Sequence, residues 1–532
     1  MNNITQSKLI IYSSIFFTLF YNYSFFTNTL KVYPLDENLG FVISITFVMT
    51  AFLIILLTLV TNKFIIKPIL IFVFLVSSLT NYFMNSYHAV IDDSMLRNMM
   101  QTDISESLDL LNFKLVLYFI SLGLLPSYYI YRVSFPTRTL KQELKTKAKV
   151  LGISLLIVLI SFFSFSKYYT SFAREHKPLR YSINPTFWFY SVGKYINLTY
   201  NTAPLVVEPI GLDAKVRVSD NNRTKIVILV VGEAARADHF SLNGYEKETN
   251  PLLKQEDIIN FPDMYSCGTS TAESVPCMFA KYNRSDYSYK KGIRTQNVLD
   301  VLDHTGDVSV LWRDNNSDSK GVALRVPFEN YKDSTNNTIC TEDECRDIGM
   351  LVGLDTYIEN NKGKNIFIVL HQMGNHGPAY YKRYTKEFEK FTPVCKTNQL
   401  EKCTQEEISN AYDNAILYTD TFLVKTIDFL KQYDTSHDTA MIYMSDHGES
   451  LGEGGVYLHG IPYFMAPDAQ THIGSFMWFG EGMKRVVNTQ LIKENSNKTY
   501  SQDNLFYTLL GIFNVETKVY DKTMDIIQYE SH

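Results

Sequence analysis

Two carboxylates and three imidazoles follow short hydrophobic runs in this sequence. KIVILVV leads into Gly232-Glu233, TAMIYMS into Asp446-His447, NIFIVLH into GNHGP with His376, and YLHGIPY carries His459. Oxygen and nitrogen donors of this kind suit one or two divalent metal ions. Singly, each also fits a plainer role: an Asp-His pair can close a turn, and Glu233 could cap a helix begun by AARADHF. The convergence of three separate run ends on donor atoms favours a metal site. His239, His371 and His472 stand outside that pattern and read as structural. A nucleophile is offered by CGTSTAESVPC, where Thr269, Ser270 and Thr271 all carry hydroxyls. A hydroxyl is a poor nucleophile at neutral pH unless a base or a metal lowers its pKa. A helix starting there could also stabilise a bound phosphate, with Pro276 falling in its early turns. By chemistry alone the three hydroxyls are equivalent.

These groups need a scaffold that brings run ends together. From Lys225 onward, KIVILVV, VSVLWR, NIFIVLH, TAMIYMS and IGSFMWF read as strands, and 405–433 is the clearest helix between two of them. Uninterrupted apolar strands are buried on both faces, which predicts a largely parallel sheet covered by helices. Ligands in such sheets bind beyond the carboxyl ends of the strands.

The first part of the chain is physically different. Residues 1–170 hold 13 Lys+Arg and 8 Asp+Glu, a net of +5, whereas the remaining 362 residues carry a net of −10. Five apolar runs, near 9–28, 41–61, 65–85, 114–133 and 149–168, are long enough for a bilayer core. Asn22 interrupts the first, and Lys67 and Pro68 lie in the third. Lys and Arg concentrate on cytoplasmic loops. Lys8, Lys63, Lys67 and the group Arg132, Arg138, Lys141, Lys145, Lys147 and Lys149 therefore predict a cytoplasmic N-terminus and an outside location for everything after about residue 169. The acidic loop 86–113 is outside on the same count. The expected domains are a five-span membrane domain over 1–168, an interfacial aromatic helix and linker over 169–220, and an α/β domain over 221–532. Overall composition, 46% hydrophobic with a net charge of −5, excludes a collagen, a largely disordered chain and a basic nucleic-acid binder.

All six cysteines lie in the outer part, in neighbouring pairs: Cys267 with Cys277, Cys340 with Cys345, and Cys395 with Cys403. Pairing of neighbours suits an oxidising compartment. Each short closed loop would contribute roughly 2–3 kcal/mol in the chain-entropy model.

GEAARADHFSLNGY, CGTSTAESVPCMF, WRDNNSDSKG, GNHGPAYYKRY with FTPVC, and SDHGESLGEGGVYLHGIPY resemble the phosphoethanolamine transferases that modify lipid A, including the mobile colistin-resistance enzymes. The resemblance spans both parts of the chain. It implies five transmembrane helices and a periplasmic domain of the alkaline phosphatase and sulfatase type, in a monomer of the bacterial inner membrane. It implies transfer of phosphoethanolamine from phosphatidylethanolamine to lipid A phosphate through a phosphothreonine intermediate, lowering surface charge and conferring polymyxin resistance.

Residue by residue, the resemblance makes Thr271 the nucleophile and Glu233, Asp446 and His447, with Thr271, the ligands of a zinc ion. His376 and His459 fall near the phosphate, where a second zinc is an option, and Ser317 and Lys320 near the substrate phosphate. Asn98, Thr102 and Glu106 match an outer-loop set, and their four-residue spacing puts them on one helix face. Two departures stand out: Ala234 where relatives often have threonine, and Glu273 where they carry an apolar or aromatic residue. The nearest rival is phosphoglycerol or phosphoethanolamine transfer to another envelope glycan. A sulfatase lacks support because no C/S-x-P-x-R signature surrounds Thr271, and a binding protein without catalysis would not need the metal-and-threonine set.

Overall fold

The computed structural model describes residues 3–101, 108, 110–174, 176–200, 206–217, 223–341 and 344–527. It divides into two compact units, Met1–Leu96 with Leu111–Asn197, and Arg97–Leu110 with Leu198–His532.

The first unit is helical. Helices α1 (Gln6–Phe20) and α2 (Tyr23–Val32) meet at a bend of 58°. Helices α3 (Leu35–Val60), α4 (Ile66–Ser86), α5 (Phe113–Arg132) and α6 (Leu140–Ser164) are each long and apolar enough to cross a membrane, and the bent pair taken as one span makes five. The bend falls at Asn22, whose buried amide donates to the Phe17 carbonyl at 2.9 Å and the Asn184 carbonyl at 2.8 Å. A side chain competing for main-chain partners breaks a helix in this way. Helix α6 begins nine residues before the apolar run expected at 149, because Thr139 and Gln142 form a capping box and lysine is a good helix former. A hydropathy window registers only the apolar part of such a helix. Helix α7 (Thr186–Tyr200) contains the aromatic stretch. Trp188 is buried, donating to Ser77 Oγ at 3.2 Å, whereas Tyr190 is exposed.

The second unit is built on a seven-stranded sheet: β1 (Lys225–Gly232), β2 (Ile258–Asn260), β3 (Val308–Asp314), β4 (Phe328–Asn330), β5 (Asn365–His371), β6 (Asp438–Ser445) and β7 (Ser475–Phe479), in the order β2-β7-β6-β1-β5-β3-β4. The five strands from β6 to β4 pair in parallel. IGSFMWF, expected in the parallel set, supplies β7, which runs antiparallel to both β6 and β2 at one edge. Along β1, Val227, Leu229 and Val231 enter one core and Ile226, Ile228 and Val230 the other. A period of two with both faces buried explains why the run is apolar throughout. Helix α9 (Gln405–Lys431) opens with a Thr404–Glu407 capping box and packs in the second core.

Asp420 on α9 is fully buried and accepts the Leu252 and Leu253 N–H groups at 2.9 and 3.0 Å. Burial pushes its carboxyl up to about 7 in spite of those bonds, and burial does the same to Asp525. The unfolded value is about 3.9. The folded state therefore holds protons that the unfolded chain releases between these values. The stability contributed is fully present below about pH 4 and is lost as pH rises through about 7. Thermal unfolding is expected at a higher temperature at pH 5 than at pH 8. Asp420→Asn should narrow that gap, and an unchanged gap would remove Asp420 as its cause.

Candidate metal and phosphoryl-transfer site

Three strand ends supply the site. Glu233 follows β1, Asp446 and His447 follow β6, and the turn after β5 carries His376. Parallel pairing in register places Ser445 opposite Gly232 and His371 opposite Val231, so the residues leaving β1, β6 and β5 emerge side by side. Gly374 adopts φ +48°, and a Cβ there would lie 3.0 Å from the Glu233 carbonyl. That close approach, with the positive φ, makes any larger residue strained there.

Thr271 is the first residue of helix α8 (Thr271–Met278), and its Oγ1 lies 3.1 Å from Glu233 Oε2 and 3.4 Å from His447 Nε2. The other two hydroxyls separate here. Thr269 Oγ1 donates to the Ile461 carbonyl at 2.7 Å, and Ser270 is the N-cap residue without a capping side-chain bond. Pro276 sits inside the helix without preventing its first turn. The Cys267–Cys277 bridge spans the same segment, and the Cys340–Cys345 and Cys395–Cys403 bridges are also formed.

Glu233, Asp446 and His447 present ligand atoms all within 4.8 Å of one another, and all three are fully buried. His447 Nδ1 lies 2.8 Å from the Gly448 carbonyl, which can only accept, so that nitrogen carries the proton and Nε2 carries the lone pair. That lone pair faces Glu233 Oε1 at 3.5 Å and Asp446 Oδ2 at 3.4 Å. Asp446 Oδ2 receives no hydrogen bond from the described residues. Two buried carboxylates and a lone pair aimed at one point repel one another unless a cation lies between them. The donor set, one nitrogen and carboxylate oxygens with a hydroxyl alongside, fits zinc.

A second group, His447, Glu449 and His459, also lies within ligand distance. Here Glu449 is already engaged: Tyr380 donates to Oε1 at 2.7 Å, and His459 Nδ1 lies 2.8 Å from Oε2. Glu449 thus orients His459, and the His459 ring lies 4.4 Å from that of His447 and 5.8 Å from that of His376. Burial, with Arg383 and the other two imidazoles nearby, holds His376 well below its ordinary range. His376 is therefore a neutral acceptor at physiological pH.

Lys320 Nζ donates to both the carbonyl and the Oγ of Ser317 at 2.6 Å, and to the Gln101 carbonyl at 3.3 Å. Asn316 connects this pair to the candidate metal ligands, since Ser317 Oγ lies 3.0 Å from its Oδ1 while its Nδ2 donates to Glu233 Oε2 at 2.8 Å. Asn98 lies on the helix Asp93–Gln101, and Thr102 and Glu106 fall outside the described residues. Asn316 and Glu449 were visible inside the quoted motifs, but nothing in their spacing distinguishes a side chain that orients a ligand from one that faces solvent.

Both departures have a structural reading. No α-helix begins after Glu233. Ala234 instead has a left-handed backbone, φ 54°, that points its N–H at Asp446 Oδ1 at 3.2 Å. A hydroxyl there would have no helix to cap, and alanine tolerates this conformation better than a β-branched threonine. Glu273 lies in the first turn of α8, where a negative charge is favoured by the helix dipole.

Residues 225–515 match the sulfatase family model, and residues 49–200 match the model described as phosphoethanolamine transferase EptA/EptB. The chain is 45% identical to phosphatidylethanolamine transferase Mcr-2 of Escherichia coli over 514 residues, covering 94% of each protein. It is 37% identical to phosphoethanolamine transferase EptA of Escherichia coli K12 over 534 residues, covering 98% of this chain and 96% of that one. The solved structure of the integral membrane lipooligosaccharide phosphoethanolamine transferase A of Neisseria meningitidis superposes with a TM-score of 0.94 at 34% identity, over 99% of both chains. With a membrane-helix unit, a sulfatase-type domain and relatives matched over nearly their whole length, this chain belongs to the phosphoethanolamine transferase family.

Proposed function

We propose that this chain moves phosphoethanolamine from phosphatidylethanolamine to a phosphate of lipid A, through an intermediate held covalently on Thr271. The observation that carries this reading is the Thr271 hydroxyl, the only one of three neighbouring candidates that lies beside Glu233 and His447. A zinc ion bound by Glu233, Asp446 and His447 with Thr271 would supply Lewis-acid polarisation of the phosphodiester and a lower hydroxyl pKa. His376 and His459 are the candidates for a second ion or for direct contact with phosphate.

Thr271 Oγ attacks phosphorus, its proton having an acceptor at Glu233 Oε2, and the bond from phosphorus to the diacylglycerol oxygen breaks. That oxygen takes up the proton given by Thr271 and leaves as diacylglycerol. A lipid A phosphate oxygen then attacks the phosphothreonine, the bond to Thr271 breaks, and the proton carried in on the lipid A phosphate restores the hydroxyl. Thr271 opens helix α8, whose N-terminus favours negative charge nearby. Glu449 keeps the His459 proton on Nδ1, leaving Nε2 to accept. Ser317 and Lys320 provide cationic and hydroxyl contacts for substrate phosphate.

Membrane anchoring suits a reaction between two lipids, because confinement raises their effective concentration. The helices belong in the bacterial inner membrane, with the N-terminus cytoplasmic and the sulfatase-type domain periplasmic, as the loop charges and three disulfides support. Adding an ammonium group lowers the net negative charge of the surface, which weakens binding of polymyxins such as colistin. Purified protein given phosphatidylethanolamine and lipid A is expected to release diacylglycerol on thin-layer chromatography and to add phosphoethanolamine to lipid A by mass spectrometry. Consumption of phosphatidylglycerol in place of phosphatidylethanolamine would overturn this assignment.

A further inference from the structure

Gln502 is uncharged and lies far along the chain from every motif of the site, yet it is fully buried with its whole carboxamide engaged there. Its Nε2 donates to the carbonyls of Ser445 and Asp446, each at 2.8 Å. Its Oε1 accepts the Cys267 N–H at 2.7 Å and has Ser274 Oγ at the same distance. Ser274 Oγ also lies 2.5 Å from the Asp446 carbonyl, so two acceptors compete for its single proton. Cys267 and Ser274 stand on either side of Thr271 in sequence, whereas Ser445 and Asp446 are the last residue of β6 and the ligand that follows it. One planar group thus fastens the segment bearing the hydroxyl to the segment bearing the ligands. The position of Gln502 is itself fixed by a capping box between Ser501 and Asn504.

We infer that Gln502 is a positioning residue that sets the placement of the Thr271 hydroxyl relative to Asp446 and His447. The inference rests on the reading of Thr271 as the nucleophile. Only a carboxamide meets the requirement, with two N–H donors for two carbonyls and one oxygen for an N–H and a hydroxyl. Methionine would match its length but take the amide donor from the Ser445 carbonyl and the acceptor from the Cys267 N–H, leaving the Asp446 carbonyl with Ser274 Oγ alone. In-line attack tolerates little displacement, and a shift of about 1 Å costs on the order of 100-fold in rate.

The test compares full-length wild type, Thr271→Ala, Gln502→Met and Ser274→Ala for kcat, for KM toward phosphatidylethanolamine, for bound zinc, and for the single-turnover rate of phosphoethanolamine addition to Thr271. Gln502→Met is expected to lower kcat and the single-turnover rate together by about 30- to 100-fold, with KM changed by less than about threefold and zinc retained. A kcat within about threefold of wild type overturns the inference, and so does a loss that zinc addition restores. Should Gln502→Met fail to fold, Ser274→Ala decides. It removes one oxygen from the clamp, and an unchanged single-turnover rate overturns the inference. Activity surviving in Thr271→Ala would instead defeat the nucleophile reading beneath it, whereas an inactive Thr271→Ala beside an unaffected Gln502→Met defeats the positioning role alone.

Discussion

Thr271→Ala is expected to lower phosphoethanolamine transfer by about 1,000-fold or more, because it removes the atom proposed to form the covalent bond. In the same experiment, mass spectrometry of wild-type protein incubated with phosphatidylethanolamine should find phosphoethanolamine on Thr271, and the variant should carry none. Thr269→Ala is the informative control. Thr269 Oγ1 is tied to the Ile461 carbonyl at 2.7 Å, so its loss affects a loop and leaves the reacting hydroxyl in place. Activity within about tenfold of wild type is expected there, the cost of one buried hydrogen bond. An adduct on Thr269 or Ser270, or normal turnover by Thr271→Ala, would sink the mechanism.

The second large effect concerns the metal. Glu233 and Asp446 are fully buried beside the His447 lone pair, and a cation offsets a repulsion that the protein otherwise bears alone. Zinc is therefore expected to raise the unfolding temperature of wild-type protein. The stabilisation is about 2.7 kcal/mol when free zinc exceeds its Kd a hundredfold. Asp446→Asn should have opposite consequences in the two states. It removes one of two repelling charges from the metal-free protein, raising its melting temperature, and it removes a ligand from the loaded protein, erasing most of the zinc-dependent shift. Transfer should fall by about 1,000-fold or more, since metal-bound charge stabilisation is worth several kcal/mol. Calorimetry with and without a chelator checks both signs. A zinc-dependent shift of the same size in the variant would remove Asp446 from the ligand set.

Much of this candidate site could be read from the sequence because its proposed ligands lie at strand ends. A run such as KIVILVV is recognisable by composition, and the residue after it must lie at the edge of the sheet. Glu233, Asp446 and His376 therefore read from sequence as neighbours at one end of the sheet. Membrane runs are equally legible, since hydropathy acts over some twenty residues. Their limits are less so: α6 starts at Leu140 because a capping box and helix propensity extend it beyond the apolar stretch.

Residue types and order along the chain by themselves pointed to the two-part organisation, five of the seven strands of the main sheet and the candidate donor atoms of a metal site, because each depends on local composition and short spacing. The three hydroxyls of Thr269, Ser270 and Thr271 remained equivalent by chemistry, and family resemblance alone ranked them. Tertiary structure separates them physically, turning one toward the Ile461 carbonyl and another toward Glu233 and His447. It also decided the antiparallel direction of β7 between β6 and β2, the left-handed backbone of Ala234 and the hydrogen-bond partners of Asn316, Glu449 and Gln502. These depend on hydrogen bonds between segments remote in sequence. Gln502 meets Cys267 across 235 positions, a separation at which no local pattern records the partner.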